Sequence, residues 1–344
     1  MKKILLFILA LVCSSVSFAQ LQLATLEHND SISVFYGSYA LEEAHAAAVN
    51  GDVVTLSPGS FTFHSDYRAG DITKNITIRG AGMFVDTMLG TTPTTIDGSN
   101  LYINVQADSI YHLSFEGIKF NSSITANSID GMYMTKCITG GSISTYSSPN
   151  TARKCLVNSF FTQCLISSIG NISQDSGFSN NVFTNCVILS ALDRDNVYNH
   201  CVVGIYGSKF TAYNCVLYIQ TPSCSTYSTA AMYNCIGFLN NNYNYFGSQW
   251  RQYNMNISGD NTTKFSRVFK TFTGSSNSFV FSEQETFALT DSIMTAYPGS
   301  DGTPVGIYGG VAPFNPRVGK HKVTVPSQTT LNGRLNVRIE AIDE

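Results

Sequence analysis

The stretch Asn185-Cys186-Val187-Ile188 is one copy of a phrase that recurs through the middle of the chain. In each copy a polar residue, often Asn, precedes a cysteine, and one or two residues that are usually aliphatic follow it. The step from Cys164 to Cys186 is 22 residues and the step from Cys215 to Cys235 is 20, periods that are typical of a solenoid repeat. The cysteines of the six copies are Cys137, Cys164, Cys186, Cys201, Cys215 and Cys235.

Two steps of the repeat are shorter than the others. Cys186 and Cys201 are 15 residues apart, and Cys201 and Cys215 are 14 residues apart. Either the turns of these repeats are clipped or the alignment of the repeats slips there, and the sequence leaves both alternatives open.

Each residue type in the phrase has a structural reason. An Asn amide can hydrogen-bond to its counterparts in neighbouring repeats, and Asn tolerates the left-handed backbone of a corner between strands. The cysteine that follows then points inward as a small apolar residue. Neighbouring strands lie about 4.8 Å apart, whereas a disulfide needs Cβ atoms about 3.8 Å apart. We therefore predict a structural column of unbridged, buried thiols.

A metal site is not predicted for the cysteines, because the chain contains no Cys-x-x-Cys pair and the spacings suit repeats. Cys155 and Cys224 lie outside the column, and the sequence leaves their state open.

The composition bounds the class of protein. The chain of 344 residues is 43% hydrophobic, which is enough for a large buried core, but only 12% charged. Polar neutral residues and Tyr take the place of ions, and they suit strands joined by tight turns. The net charge is −3 and no basic stripe is present, so nucleic acid is not a predicted partner.

The first residues have the pattern of a Sec-type signal peptide. Lys2 and Lys3 precede the apolar run from Ile4 to Val12, and Ser17-Phe18-Ala19 fits a cleavage site. We predict a signal peptide at 1–19 and a bacterial protein that is secreted, periplasmic or held at the cell surface. After cleavage no stretch is long and apolar enough to cross a membrane.

Short elements follow in the N-terminal part. Leu41, Ala44 and Ala48 lie on one face of a helix predicted at about 38–50, with Ser38 as its N-cap and Asn50-Gly51 at its end. Strands are predicted at 52–56, 61–63 and 74–79.

These elements carry a family resemblance. The run Gly51-Asp52-Val53-Val54-Thr55-Leu56-Ser57-Pro58-Gly59, and then Asn75-Ile76-Thr77-Ile78-Arg79-Gly80-Ala81-Gly82, resembles the opening of the pectin-lyase-like superfamily. Those proteins are right-handed parallel β-helices and include polysaccharide lyases. The resemblance covers roughly residues 35–315 and implies an all-β solenoid that the short helix caps at its N-terminal end. It is not specific for any activity.

The predicted organisation therefore has three parts. The signal peptide at 1–19 is followed by a parallel β-helix domain at 20–316. Residues 317–344 contain alternating segments around Asn332-Gly333, which predict a C-terminal β-hairpin or a pair of edge strands.

An enzyme is one of the function classes that the sequence leaves open. A polysaccharide lyase needs carboxylates to hold Ca²⁺ and a basic residue to take the proton, and a glycoside hydrolase needs paired carboxylates. Asp193-Arg194-Asp195 has these residue types, but we favour its interpretation as a solvated turn with a local ion pair. The catalytic motifs of pectate lyases and polygalacturonases are absent from the sequence, so no catalytic residue is assigned. No cofactor is expected, except Ca²⁺ if the protein is a lyase.

The hypothesis that we favour is a binding protein whose partner is a polysaccharide or a cell-surface glycan. Flat aromatic rings with polar tips suit sugar rings, although such side chains can also simply cover a sheet. The third hypothesis for the function is a rigid spacer. The candidate binding residues are Tyr198, Tyr206, Tyr213, Tyr218, Tyr233, Tyr243, Tyr245 and Trp250, with Tyr227 and Tyr253 in the same region.

Overall fold

Strands dominate the structure of the chain. The computed structural model describes residues 22–64, 71–86, 90–98, 100–105, 108–145, 156–170, 178–191, 194–205, 209–219, 230–239, 250–251, 255–256, 266–271, 286–315, 320–324 and 338–342. Within these ranges, no helix has the length and apolar character that crossing a membrane requires.

The elements are named in chain order. The strands are β1 (Leu23–His28), β2 (Ser31–Tyr36), β3 (Val53–Leu56), β4 (Gly59–Phe61), β5 (Thr77–Arg79), β6 (Thr94–Ile96), β7 (Leu101–Asn104), β8 (Ser114–Glu116), β9 (Lys119–Phe120), β10 (Ile124–Ser128), β11 (Tyr133–Thr135), β12 (Ile138–Thr145), β13 (Leu156–Val157), β14 (Phe160–Thr162), β15 (Leu165–Ile169), β16 (Phe178–Ser179), β17 (Val182–Thr184), β18 (Val187–Ala191), β19 (Arg194–Asn199), β20 (Val202–Ile205), β21 (Lys209–Tyr213), β22 (Val216–Ile219), β23 (Ala231–Tyr233), β24 (Ile236–Leu239), β25 (Trp250–Arg251), β26 (Met255–Asn256), β27 (Lys320–Thr324) and β28 (Arg338–Ile342). The helices are α1 (Ala40–Ala47) and α2 (Asp291–Ala296).

Two long sheets contain most of these strands. The first sheet has the order β2-β1-β3-β5-β8-β11-β14-β17-β19-β21-β23-β25, and all its pairs from β3 onward are parallel. The second sheet has the order β4-β6-β9-β12-β15-β18-β20-β22-β24-β26, with β10 pairing with β12 and β7. From β17 to β26 successive strands belong alternately to the first and the second sheet. Each strand therefore pairs with the equivalent strand of the next repeat. The prediction of an all-β chain is confirmed, with long parallel sheets as its main feature.

Two short sheets lie outside this pattern. Strands β13 and β16 form a parallel pair, and β27 and β28 form an antiparallel pair in which Lys320 is opposite Ile342. The antiparallel pair falls in the segment for which the sequence predicts a hairpin or edge strands. Its connecting residues lie outside the described ranges.

An aromatic column forms part of the core. Phe161, Phe183 and Tyr198 are consecutive partners on β14, β17 and β19, and all three are fully buried. The ring centroids of Phe161 and Phe183 are 4.6 Å apart, and those of Phe183 and Tyr198 are 5.2 Å apart. Tyr198 is therefore a core residue, and its prediction as a binding residue is corrected: the pleat turns its side chain into the interior.

The six repeated cysteines also lie in the core, and none of them is in a disulfide. Each thiol follows a corner, and its Sγ donates to the carbonyl oxygen two residues earlier, as from Cys215 to Tyr213 O at 3.1 Å. Backbone N–H groups contact the next sulfur, as from Cys201 N to Cys215 Sγ at 3.3 Å. Burial raises the pKa of the Cys186 thiol, which keeps it protonated. Cys155 and Cys224 lie outside the described residues.

The residue before each cysteine makes the corner between the two sheets. Its φ lies between 49° and 54° in all six copies, which is the left-handed region that Asn adopts more readily than most residues. These corner residues are Lys136, Gln163, Asn185, His200, Asn214 and Asn234.

The second sheet is covered on its outer face by a C-terminal segment. Outward residues of this sheet, such as Val187, Val202 and Val216, form a buried cluster with Phe287 and Ile307. We call residues 286–315 the covering segment. Tyr218 belongs to the same cluster and is buried, so its prediction as a binding residue is also corrected.

The corner residues hold the covering segment by hydrogen bonds. Asn185 Nδ2 donates to Ile307 O at 2.9 Å and to Gly309 O at 2.8 Å, and the segment's Ser300 N donates to Asn214 Oδ1 at 2.9 Å. The predicted bond between neighbouring corner residues occurs from Asn234 Nδ2 to Asn214 Oδ1, at 2.9 Å. At Asn185 the amide instead binds a distant part of the chain, because the covering segment offers main-chain carbonyls there.

Helix α1 packs against β1, β2 and β3. Leu41, Ala44 and Ala48 are buried, as the helical periodicity predicts. The predicted cap is wrong, since Tyr39 rather than Ser38 precedes the helix and no side chain caps it. The helix ends at Ala47, three residues before Asn50, because Ala48 is already extended.

His45 on α1 makes the stability of this region depend on pH. Its Nε2 accepts a hydrogen bond from Thr73 N at 3.1 Å, and burial, with help from the charge of Lys74, lowers its pKa from 6.5 to about 4. In the unfolded chain His45 is protonated below about pH 6.5, whereas in the folded chain it is protonated only below about pH 4. The free energy of unfolding therefore falls as the pH drops from 6.5 to 4. We expect His45 alone to remove about 2 kcal/mol of unfolding free energy between pH 7 and pH 5.

Urea unfolding at both pH values measures this effect. The variant His45→Gln, which has no titrating ring, should show a smaller loss than the native chain. An equal pH response of the two proteins would assign the effect to other groups.

Candidate functional site

The outer face of the first sheet is built from two columns of side chains. On each strand the middle residue points inward and its two neighbours point outward, as Phe161 does between Phe160 and Thr162. Strand pairing then aligns the outward residues of successive strands. One column is Tyr133, Phe160, Val182 and Val197, and the other is Thr135, Thr162, Thr184, Asn199, Tyr213 and Tyr233.

Two aromatic stacks stand on this face. Tyr133 and Phe160 have ring centroids 5.2 Å apart and planes within 12°, and Tyr213 and Tyr233 have centroids 4.8 Å apart and planes within 9°. Phe160 is 42% exposed and Tyr213 is 40% exposed, so the rings are accessible although each is half covered by its neighbour. Aromatic rings with exposed faces are the groups that proteins offer to flat apolar ligand surfaces.

Between the two stacks, each inner ring is followed in its column by a shorter side chain. Tyr133 stacks on Phe160 from β11, and Val182 is the partner of Phe160 on β17. Tyr233 stacks on Tyr213 from β23, and Asn199 is the partner of Tyr213 on β19. His112 packs edge-on against Tyr133, with ring centroids 5.6 Å apart, and supports that stack from its far side.

Smaller side chains line the surface between the stacks. Val182, Thr184, Val197 and Asn199 lie there, all partly buried. Because they are shorter than the rings on both sides, they form the floor of a shallow depression. We call the two stacks and this floor the aromatic face, which consists of Tyr133, Phe160, Val182, Thr184, Val197, Asn199, Tyr213 and Tyr233.

None of the eight side chains of the aromatic face is a carboxylate or a basic group. Beside the face, Lys209 Nζ is 2.5 Å from Asp195 Oδ2, and Arg251 is the backbone partner of Tyr233 on β25. On the same face toward the N-terminus, Arg79 Nε is 3.3 Å from Glu116 Oε2. The face can therefore offer ring surfaces, a hydroxyl and an amide, which are groups that bind neutral ligands.

The candidate catalytic stretch does not show a converging site in the part that is described. Asp195 is exposed, has φ 58° and forms the ion pair with Lys209. Arg194 begins β19 and pairs through its backbone with Lys209, and Asp193 lies outside the described residues. No group of three or more His, Cys, Asp or Glu residues in the described ranges could hold a metal ion.

The candidate binding residues fall into three groups. Tyr213 and Tyr233 lie on the aromatic face, whereas Tyr198 and Tyr218 are buried. Trp250 is on β25 opposite Met232. The remaining candidates lie outside the described residues: Tyr206, Tyr227, Tyr243, Tyr245 and Tyr253.

Tyr133 and Phe160 are the residues that sequence reasoning missed. The signal was present in the repeat, because each lies four residues before a cysteine of the phrase, Cys137 and Cys164. Tyr213 and Tyr233 lie two residues before theirs. Both offsets mark outward positions, but only the strand register shows which of these positions are aligned.

Similar proteins were sought by comparison with protein-family models, with curated proteins and with solved structures. None of the three comparisons found a match to this chain.

Proposed function

We propose that this chain is an exported glycan-binding protein that binds without catalysing a reaction. The observation that carries the proposal is the aromatic face, where two stacks of exposed rings flank a floor of small neutral side chains. Sugar rings have apolar faces that pack against aromatic rings, and hydroxyls that pair with Thr and Asn side chains.

The proposed fold is a right-handed parallel β-helix of the pectin-lyase-like type. The alternation of strands between two parallel sheets supports this proposal, as does the helix packed beside the N-terminal strands. A solenoid stacks equivalent residues from repeat to repeat, which suits it to binding extended partners.

Export is proposed from residues 1–19, which have the pattern of a signal peptide. A glycan at the cell surface or outside the cell would then be the accessible partner. Binding without turnover is supported by Asp195, whose carboxylate is engaged by Lys209.

A glycan array followed by a turnover assay tests the proposal. The chain from Gln20 onward should be retained on glycans, and it should release neither reducing nor unsaturated ends from those it binds. The double variant Tyr213→Ala/Tyr233→Ala should lower retention by roughly tenfold, because the ring surface is lost.

The variant Tyr36→Ala is the matched control. Tyr36 is also an exposed aromatic residue of the first sheet, but it lies on β2 at the sheet's far end. Its removal should leave retention unchanged. Failure to bind any glycan, or measurable turnover, would contradict the proposed function.

A further inference from the structure

We propose that the aromatic face takes one extended, uncharged oligosaccharide that spans both stacks, with one sugar ring against Phe160 and another against Tyr213. This inference rests on the glycan-binding function proposed above, and it adds the class of ligand and its direction on the protein.

The separation of the two stacks requires a chain rather than a single sugar. Phe160 and Tyr213 are three strand steps apart in the sheet, on β14 and β21, and they lie in different outward columns. Strand spacing and the rise per residue place them roughly 16 Å apart, which is too far for one sugar ring to contact both. A chain that reaches from one to the other must run across the strands.

The orientation of the rings favours bridging over two independent sites. On the side of β17 and β19, Phe160 is followed in its column by Val182 and Tyr213 by Asn199, and both side chains are shorter than the rings. A chain that leaves one ring therefore enters the depression that leads to the other. On their opposite sides the rings are covered by Tyr133 and Tyr233.

The floor suits a neutral sugar chain. Val182 and Val197 offer apolar surface beneath the chain, and Thr184 and Asn199 lie beside them in the second column. The Thr hydroxyl and the Asn amide each both donate and accept hydrogen bonds, as sugar hydroxyls do.

A polyanionic chain would find no compensating charge among these side chains. Lys209 is already neutralised by Asp195, at 2.5 Å, and the whole chain carries a net charge of −3. Removing a carboxylate from water without a cation is unfavourable, so a polyuronate should bind less well than a neutral glycan of the same length.

Binding of a length series by calorimetry tests the inference. The probes are neutral β-linked oligosaccharides from the disaccharide to the hexasaccharide, chosen from the glycans retained on the array, with oligogalacturonates of matched length. For the native chain, affinity should rise with length until both stacks are spanned and should then level off.

Single variants at the two ends separate bridging from independent binding. Phe160→Ala and Tyr213→Ala should each weaken binding of the long neutral probe by about three- to tenfold and abolish the gain in affinity with length. Tyr36→Ala should behave as the native chain does. Circular dichroism and thermal unfolding confirm that each variant is folded.

The outcomes distinguish this inference from the proposed function. If neutral glycans bind but length has no effect, or if only one of the two variants weakens binding, bridging is wrong while glycan binding stands. Equal or tighter binding of oligogalacturonates would overturn the uncharged class of ligand. Absence of binding to any glycan would remove the proposed function itself.

Discussion

Replacing Phe183 by alanine is expected to lower the free energy of unfolding by about 3 to 5 kcal/mol. Phe183 is fully buried and stacks between Phe161 and Tyr198, with centroid distances of 4.6 Å and 5.2 Å. Its removal opens a cavity in the middle of the aromatic column, and strands paired on both sides limit how far the core can collapse into it. Denaturant unfolding followed by far-UV circular dichroism measures the loss.

Phe160 provides a matched control for this prediction. It is also a phenylalanine on a strand of the first sheet, one strand away, but its ring points outward and is 42% exposed. Phe160→Ala should lose only about 1 to 2 kcal/mol, since a large share of the ring stays in solvent and its removal leaves no closed cavity. Comparable losses in the two variants would contradict the inward and outward assignment of the strand positions.

Replacing Asn185 by alanine is expected to lower the free energy of unfolding by about 3 kcal/mol and to loosen the covering segment. The buried amide of Asn185 donates to Ile307 O and Gly309 O, and alanine leaves both carbonyl oxygens without this donor. Alanine is also disfavoured at φ 52°, where Asn is tolerated. Unfolding titrations measure the loss, and limited proteolysis of residues 286–315 reports whether the segment detaches.

Asn180 separates the backbone contribution from the hydrogen bonds. It has a similar φ of 59°, but its side chain is exposed, whereas that of Asn185 is buried. Asn180→Ala should therefore lose only about 1 kcal/mol and leave proteolysis of the segment unchanged. If Asn185→Ala behaves in the same way, its side chain does not hold the segment.

The repeated phrase predicted stacked repeats and the corner conformation, and the family resemblance added the expectation of parallel strands in an all-β chain. Its period indicated stacked repeats, and the Asn before Cys186 indicated a left-handed corner, which has φ 52° in the structure. The aromatic face was predicted only in part, because the density of Tyr residues pointed to Tyr213 and also to the buried Tyr198. One residue along a strand reverses the side of the sheet, so composition alone cannot separate the two.

The sequence by itself determined the local features of this protein: the repeat period, the alternation of side chains along each strand and the residue types at the corners. These follow from backbone geometry within a few residues. Only the tertiary structure decided which sheet face is covered and which is exposed. The bond from Asn185 to Ile307 joins positions 122 residues apart, and no local pattern encodes a contact across such a distance. Because residues 286–315 cover the second sheet, the outer face of the first sheet is the one left to present Phe160 and Tyr213 to solvent.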